Sequence, residues 1–295
     1  MASAPIRSLC PRGKALLELT LRPKADRIPL FAEGVSPCRL AGQSSELIRK
    51  QTVFHGNQAC QLGDFFEVKG DVSDGKVRVV GDCRSVKGLG SKMAAGEMSV
   101  DGDVGDHFGA GMSGGVLALS GNAGDWAGAE MAGGFLSIGG NAGDVAGGGY
   151  RGGARGMSGG TLLVHGDAGA EVGSKMRRGL IAVGGRSGDF AGVGMIAGTI
   201  LLFGPGGIHA GAGMKRGAIV CFDPATVGEA PPTFRAGGRF EPAFLRIYIR
   251  RLQEWGFPVT QDFTATGFFE RWRGDFLELG KGELLRWRPS PVASS

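Results

Sequence analysis

Gly115-Val-Leu-Ala-Leu-Ser-Gly-Asn-Ala-Gly-Asp125-Trp-Ala-Gly-Ala-Glu-Met131-Ala-Gly-Gly134 is followed by Phe135-Leu-Ser-Ile-Gly-Gly-Asn-Ala-Gly-Asp144-Val-Ala-Gly147, the same pattern 19 residues later. The pattern extends in both directions. Met93, Met112, Met131, Met157, Met176, Met195 and Met214 form one column, at spacings of 19, 19, 26, 19, 19 and 19. A glycine stands three residues behind each methionine, from Gly96 to Gly217, and a second glycine column runs in step from Gly90 to Gly211. A fixed period sustained over seven copies marks a stacked repeat architecture.

A period of 19 is too short for paired-helix repeats and too long for a nonapeptide calcium helix. The residues after each Met-x-x-Gly read as a short strand with period-two alternation. One apolar column runs Met98, Leu117, Leu136, Leu162, Ile181, Ile200, Ile219, and another runs Val100, Leu119, Ile138, Val164, Val183, Leu202, Cys221. The positions between them, Ser99, Ala118, Ser137, Leu163, Ala182, Leu201 and Val220, vary and read as the outer face. A second wall carries Leu89, Phe108, Ala127, Ala146, Val172, Ala191 and Ala210. The expected fold is all-β: a right-handed single-stranded β-helix of about seven 19-residue coils, with capping elements and a C-terminal helix. At about 4.8 Å per stacked strand this is a rod roughly 30 Å long. Of the 57 glycines, 42 lie in residues 77–222, where tight corners demand them. A phosphate-cradling glycine loop would need a following helix, and no helical pattern follows any of these loops.

Three segments are expected: an N-terminal strand and helix cap at 1–75, the Gly-rich β-helix at 76–222, and a C-terminal helix and short-strand cap at 223–295. Residues 1–12 read as loose. Leu17, Leu19 and Leu21 alternate as a strand, Pro29 to Pro37 reads as loop, and Ser44 and Ser45 can cap a short helix from Glu46 to Lys50. Phe65 to Val68 reads as the strand that starts the solenoid, whose open end must be covered. After Phe222 the period stops. Pro242 opens a helix over Phe244 to Trp255, with Phe244, Ile247, Tyr248, Leu252 and Trp255 on its apolar face and Arg246, Arg250 and Arg251 mostly elsewhere. Residues 268–288 read as two or three short strands closing the other end.

Composition narrows function. The formal charge is +5, spread as 11 basic to 8 acidic side chains in 1–76, 12 to 11 in 77–222, and 10 to 9 in 223–295, which gives nucleic-acid binding little support. No apolar run reaches membrane-spanning length and no signal-peptide core opens the chain. Cys10, Cys38, Cys60, Cys83 and Cys221 are scattered, with no C-x-x-C, so neither a cluster nor a structural zinc is indicated and a reduced, cytoplasmic setting is expected. His55, His107, His165 and His209 stand singly. Asp106, Asp125, Asp144 and Asp189 form a column interrupted by Ala170 and Ile208; calcium needs several oxygens per site, so these carboxylates are expected to accept corner backbone N–H groups. No catalytic, cofactor-binding or metal residue is expected in this chain.

One coil departs from the period. Between Gly147 and Met157 lie seven extra residues, carrying Tyr150, Arg151 and Arg155. Insertions in repeat proteins project as loops, often on a binding face. Trp126 shares an outward column with His107, Val145, Glu171, Phe190 and His209. Trp126, Tyr150, Arg151 and Arg155 are therefore the candidate partner contacts.

The array Gly-Asp-x-Gly-Asp-x-x-Gly-x-x-Met-x-x-Gly carries a resemblance. So do Arg155-Gly-Met-Ser-Gly-Gly-Thr161, Lys175-Met-Arg-Arg-Gly-Leu-Ile-Ala-Val-Gly-Gly185 and Met195-Ile-Ala-Gly-Thr-Ile200. In the flanks, Gly56-Asn57, Leu62 to Val68, and Pro232-Thr-Phe-Arg235 leading to Phe244-Leu-Arg246 agree with them. Together they resemble the formylmethanofuran dehydrogenase C-subunit family over roughly residues 15–288. The C-terminal domain of glutamate synthase large subunits shares a glycine-rich β-helix, so a domain coupling the active sites of an amidotransferase is the alternative. The resemblance implies a scaffold subunit of a molybdenum or tungsten formylmethanofuran dehydrogenase, or of the bacterial formyltransferase/hydrolase complex. That complex serves one-carbon metabolism in methylotrophy: a formyl group passes from tetrahydromethanopterin to a methanofuran analogue and is hydrolysed to formate. The excess of 23 Arg over 10 Lys leans towards the bacterial branch. The implied partners are an amidohydrolase-like formyl hydrolase subunit, a formyltransferase subunit and a molybdopterin-enzyme-like subunit. Zinc, the methanofuran analogue and tetrahydromethanopterin are expected in those chains and no cofactor in this one.

Overall fold

The computed structural model describes residues 17–22, 28–224, 230–259, 261, 263 and 265–290. The expectation for residues 1–12, Cys10 included, lies outside them. The described elements are β1 (Leu17–Leu21), β2 (Leu30–Phe31), α1 (Pro37–Leu40), α2 (Ser45–Arg49), β3 (Thr52–His55), β4 (Gln58–Gln61), β5 (Phe66–Lys69), β6 (Lys76–Val80), β7 (Val86–Lys87) and β8 (Glu97–Asp101). They continue with β9 (Val116–Leu119), β10 (Phe135–Ile138), β11 (Thr161–Val164), β12 (Leu180–Val183), β13 (Thr199–Leu202) and β14 (Arg216–Cys221). β15 (Arg235–Phe240), α3 (Phe244–Glu254), β16 (Gly267–Gly274) and β17 (Lys281–Pro289) complete the chain. The fold is all-β, with few and short helices.

Thirteen strands form one sheet, in the order β15-β16-β17-β14-β13-β12-β11-β10-β9-β8-β6-β1-β5. From β1 through β17 the neighbours are parallel, and like pairs with like: Leu117 opposes Leu136, Leu136 opposes Leu162, and Leu162 opposes Ile181. A second parallel ladder links Cys83, Val104, Ala123, Ala142, Ala168, Ser187 and Gly206. Each repeat therefore bonds the next at more than one point around its path. β5 pairs antiparallel with β1 at one edge, and β16 and β15 antiparallel with β17 at the other. A separate four-stranded sheet, β4-β3-β2-β7, builds the N-terminal piece. The Pro29 to Pro37 stretch, expected as loop, contributes β2. The strand next to β6 is β1, with β5 beyond it, so the stretch expected to open the stack lies one place further out. Ser44 caps α2 as expected, its Oγ accepting the Leu47 N–H at 3.4 Å.

The columns have a packing reason. All seven methionines from Met93 to Met214 are buried, with both strand columns. A Cβ on Gly115 would sit 2.7 Å from the Met93 methyl and 2.7 Å from the Gly96 carbonyl oxygen, at φ +80°. The methyl of one repeat thus fills the space a side chain of the next would take, which is why Met-x-x-Gly recurs. The corners are held by side-chain ladders. Oδ1 of Asp103, Asn122, Asn141 and Asp167 accepts the N–H of Asn122, Asn141, Asp167 and Arg186 at 2.7–2.8 Å. Asp106, Asp125, Asp144 and Asp189 do the same for Asp125, Asp144, Ala170 and Ile208 at 2.8–3.1 Å. These are the corner bonds expected of the aspartate column. They satisfy backbone donors that would otherwise cost about 1–3 kcal/mol each.

The outer face differs from expectation. Ala118, Ser137, Leu163, Ala182, Leu201 and Val220 are buried, not solvated. From β11 onward a second apolar core covers them, built from α3, Phe257, Val259, Phe269 and Trp287. The physical reason lies in the strands: Leu162-Leu-Val164, Leu180-Ile-Ala-Val183 and Ile219-Val-Cys221 are apolar on both faces, so both need cover. The helix also presents a different stripe. Leu245, Ile249 and Leu252 are buried at i, i+4, i+7, while Ile247 is exposed and Phe244, Tyr248 and Trp255 flank the contact. Arg250 and Arg251 pair with Glu254 on the solvent side.

Candidate docking face

The outward column adopts an unusual backbone. His107, Trp126, Val145, Glu171, Phe190 and His209 all have φ between 58° and 63°. Left-handed backbone is uncommon outside glycine and unfavourable for a β-branched residue such as valine. The stack enforces it: the N–H groups of His107, Trp126, Val145, Glu171 and Phe190 each donate to a carbonyl of the following repeat at 2.8–2.9 Å. Side chains at this corner fan outward one above another. His107 stacks on Trp126 with ring centroids 5.2 Å apart, and Phe190 on His209 likewise at 5.2 Å.

The insertion folds back onto this ladder. Tyr150 reaches His107, two repeats earlier, with ring centroids 5.6 Å apart and its hydroxyl hydrogen-bonded to Nδ1 at 3.0 Å. Its backbone N–H meets Glu130 Oε1 at 3.4 Å, and Lys175 Nζ donates to the Gly153 carbonyl at 3.0 Å. Tyr150 and Trp126 are half-buried against His107, one at its Nδ1 edge and the other stacked on its ring, whereas Arg151 and Arg155 are exposed. Among the described residues neither arginine makes an ion pair. The four candidate contacts thus resolve into two aromatic pins and two presented charges. His107 and Glu130, which hold the loop, were not among the candidates. The outward column of the sequence already sets His107 beside Trp126, one repeat apart.

Burial holds the His107 imidazole below its ordinary value, opposed by Asp106, and burial alone does so for His165, which packs on Phe257 at 5.0 Å. Depressed imidazole values mean the unfolded chain binds protons first as pH falls. The stabilisation is complete above about pH 6.5 and is lost as pH drops through the folded values. The melting temperature should therefore hold from about pH 8 to 7 and fall by a few degrees as pH falls further towards about 5. The His107→Gln/His165→Gln double variant should lose that decline; a wild-type melting temperature flat to about pH 5 contradicts the account.

Two of the thiols are sealed in the core. Cys83 and Cys221 are buried, their thiols pushed up to about 12 by burial. Among the described residues no group of three or more His, Cys, Asp or Glu is placed to hold a metal ion, and no helix is long and apolar enough to cross a membrane. This face sets the His107, Trp126 and Tyr150 rings beside the exposed Arg151 and Arg155 side chains.

No family model matches the chain. It is 42% identical over 99 residues to the C-subunit of the tungsten-containing formylmethanofuran dehydrogenase 2 of Methanothermobacter wolfeii, spanning 32% of this chain and 37% of that one. It is 40% identical over 97 residues to the C-subunit of the molybdenum-containing formylmethanofuran dehydrogenase 1 of Methanosarcina barkeri, spanning 31% and 32%. The chain thus spans about a third of the length of these curated relatives. A chain in the crystal structure of the formyltransferase/hydrolase complex (FhcABCD) from Methylorubrum extorquens, in complex with methylofuran, superposes with a TM-score of 0.83 at 35% identity. That match covers 92% of this chain and 99% of that one.

Proposed function

The chain belongs to the formylmethanofuran dehydrogenase C-subunit family, and from that premise we propose that it is a non-catalytic scaffold subunit of a formyltransferase/hydrolase complex, which moves and hydrolyses a formyl group in one-carbon metabolism. The parallel stack is read as a right-handed single-stranded β-helix over 76–222, between an N-terminal cap at 1–75 and a C-terminal cap at 223–295. The observation that carries the scaffold role is the engagement of its polar groups. The aspartate column is spent on backbone N–H groups one repeat on. A rod so built holds its outer side chains at fixed spacing and has little freedom for chemistry. Zinc, the methanofuran analogue and tetrahydromethanopterin are assigned to the partners: an amidohydrolase-like formyl hydrolase, a formyltransferase and a molybdopterin-enzyme-like subunit, in the cytoplasm. The structural match along almost the whole chain favours this reading over the amidotransferase-domain alternative.

The insertion is read as one docking element, with Trp126 and Tyr150 seating the loop and Arg151 and Arg155 presented to a partner. Deleting residues 149–155 returns that repeat to 19 residues. The melting temperature should stay within a few degrees of wild type, because no inner column is touched. Retention of the catalytic subunits on a tagged chain should fall about 30-fold or more, the loss of one or two interface anchors of about 2 kcal/mol each. Full assembly with wild-type turnover of the complex, at low and at high salt, would refute the role assigned to the loop.

A further inference from the structure

A second surface, at the β17 end of the stack, has the composition of an interface. Asp275 opens the loop between β16 and β17 and is 4% exposed. Its Oδ1 accepts the Leu277 N–H at 2.8 Å and its Oδ2 the Gly213 N–H at 3.0 Å. Its carbonyl accepts the Glu278 and Gly280 N–H groups at 3.1 and 2.9 Å, and its own N–H donates to the Met214 carbonyl at 3.2 Å. The loop is clamped to the repeat below it, yet it holds Phe276 51%, Leu277 82% and Leu279 52% exposed. Apolar side chains displayed on a backbone this well tied have already lost the freedom that binding would otherwise take from them.

The corner beside the loop is basic. Arg216 pairs with Lys281 across β14 and β17, and Arg178 stands at the matching position two strands away, two residues before β12. At about 4.8 Å per strand the line is roughly 15 Å long. The same corner carries Ala95, Gly114, Gly133 and Gly159 in earlier repeats and Ala197 between Arg178 and Arg216, so its charges are confined to the half of the stack that ends at the loop. Glu278 lies 3.7 Å from Lys215, the neighbour of Arg216, and the Asp275 carboxylate is held by backbone N–H groups. Among the described residues Arg178, Arg216 and Lys281 form no ion pair.

We infer that the 275–280 loop and this basic corner together form a docking surface for another protein chain, one presenting an apolar pocket rimmed by carboxylates. Leu277 enters the pocket, with Phe276 and Leu279 at its mouth, and the guanidinium groups meet the carboxylates in forked pairs. Apolar anchors with arginine at their edge are what protein interfaces concentrate. A nucleic acid would meet only a short cationic line and leave the apolar tip in water. The inference rests on the reading of this chain as a subunit of a hetero-oligomer and names a surface that reading leaves unassigned.

The test uses the tagged full chain in its assembled complex. A photo-crosslinking residue at position 277 should join a partner subunit at an apolar site flanked by Asp or Glu. Leu277→Asp should leave the melting temperature unchanged, since the side chain is in solvent, and weaken retention of that one partner about 30-fold. Arg178→Glu/Arg216→Glu should weaken the same partner at low salt, with a smaller difference from wild type at high salt. Wild-type retention by both variants, or crosslinks only to a second copy of this chain or to nucleic acid, overturns the inference while the subunit reading stands. A wild-type chain that retains no partner overturns the subunit reading, and the docking surface with it.

Discussion

Leu136→Asp should yield no soluble folded chain. Leu136 is fully buried in β10, opposed by Leu117 on one side and Leu162 on the other. A Cβ on Gly109 or Gly128 would lie 3.1 Å from its terminal methyls, so no space exists for water to reach a carboxylate. Within the described residues around it are apolar side chains and backbone already paired along the ladder. An unpaired buried charge costs several kcal/mol or drives uptake of a proton, and either exceeds a large share of a stability of about 5–15 kcal/mol. A stack amplifies the damage, because each repeat buries its face only against neighbours. Soluble yield and a circular-dichroism melt read the outcome. A variant with an unchanged melting temperature would mean the column faces out.

Leu201→Asp should be nearly as damaging, and from the opposite face. Leu201 is fully buried in the second core, which it shares with α3, Phe257, Phe269 and Trp287. The alternation of β13 read by itself would put it in solvent, where aspartate costs little. Beneath a packed helix the same change should remove about 3–5 kcal/mol and loosen α3 from the sheet. Limited proteolysis should then cut α3 before any repeat, while the N-terminal half keeps its protection. Equal protease resistance in variant and wild type would show that α3 does not need this face.

The two substitutions mark where the sequence was legible. The 19-residue period determined which residues stack, because register in a parallel ladder puts like on like, and the inner columns, the methionine row and the aspartate ladder all followed. What did not follow was anything that depends on a distant segment. Period-two alternation identifies one face as apolar but says nothing of what covers the other. The signal was present in Leu163, Leu201 and Val220, apolar where a solvated face would be polar. The phase of α3 departs from the sequence pattern for a related reason: Ile247 and Ile249 are equally apolar, and only the shape of the sheet beneath selects Ile249. At the candidate face, the sequence marks the insertion with Tyr150, Arg151 and Arg155, and Trp126 in the repeat before it. It did not show Tyr150 turned back onto His107, because that contact spans 43 residues and needs the register of the stack. The apolar loop at 275–280 carried no periodic signal at all.

In the proposed function this chain works by holding other chains. Native mass spectrometry of the tagged full-length protein, purified gently from cells that make its partners, tests it most directly. The expected species is a hetero-oligomer in which this subunit is stoichiometric. Formyl transfer and hydrolysis should be confined to the assembled complex, and the separated chain should carry neither activity nor stoichiometric zinc. A chain recovered as a monomer or homo-oligomer, or one that hydrolyses the formyl group by itself, would contradict it.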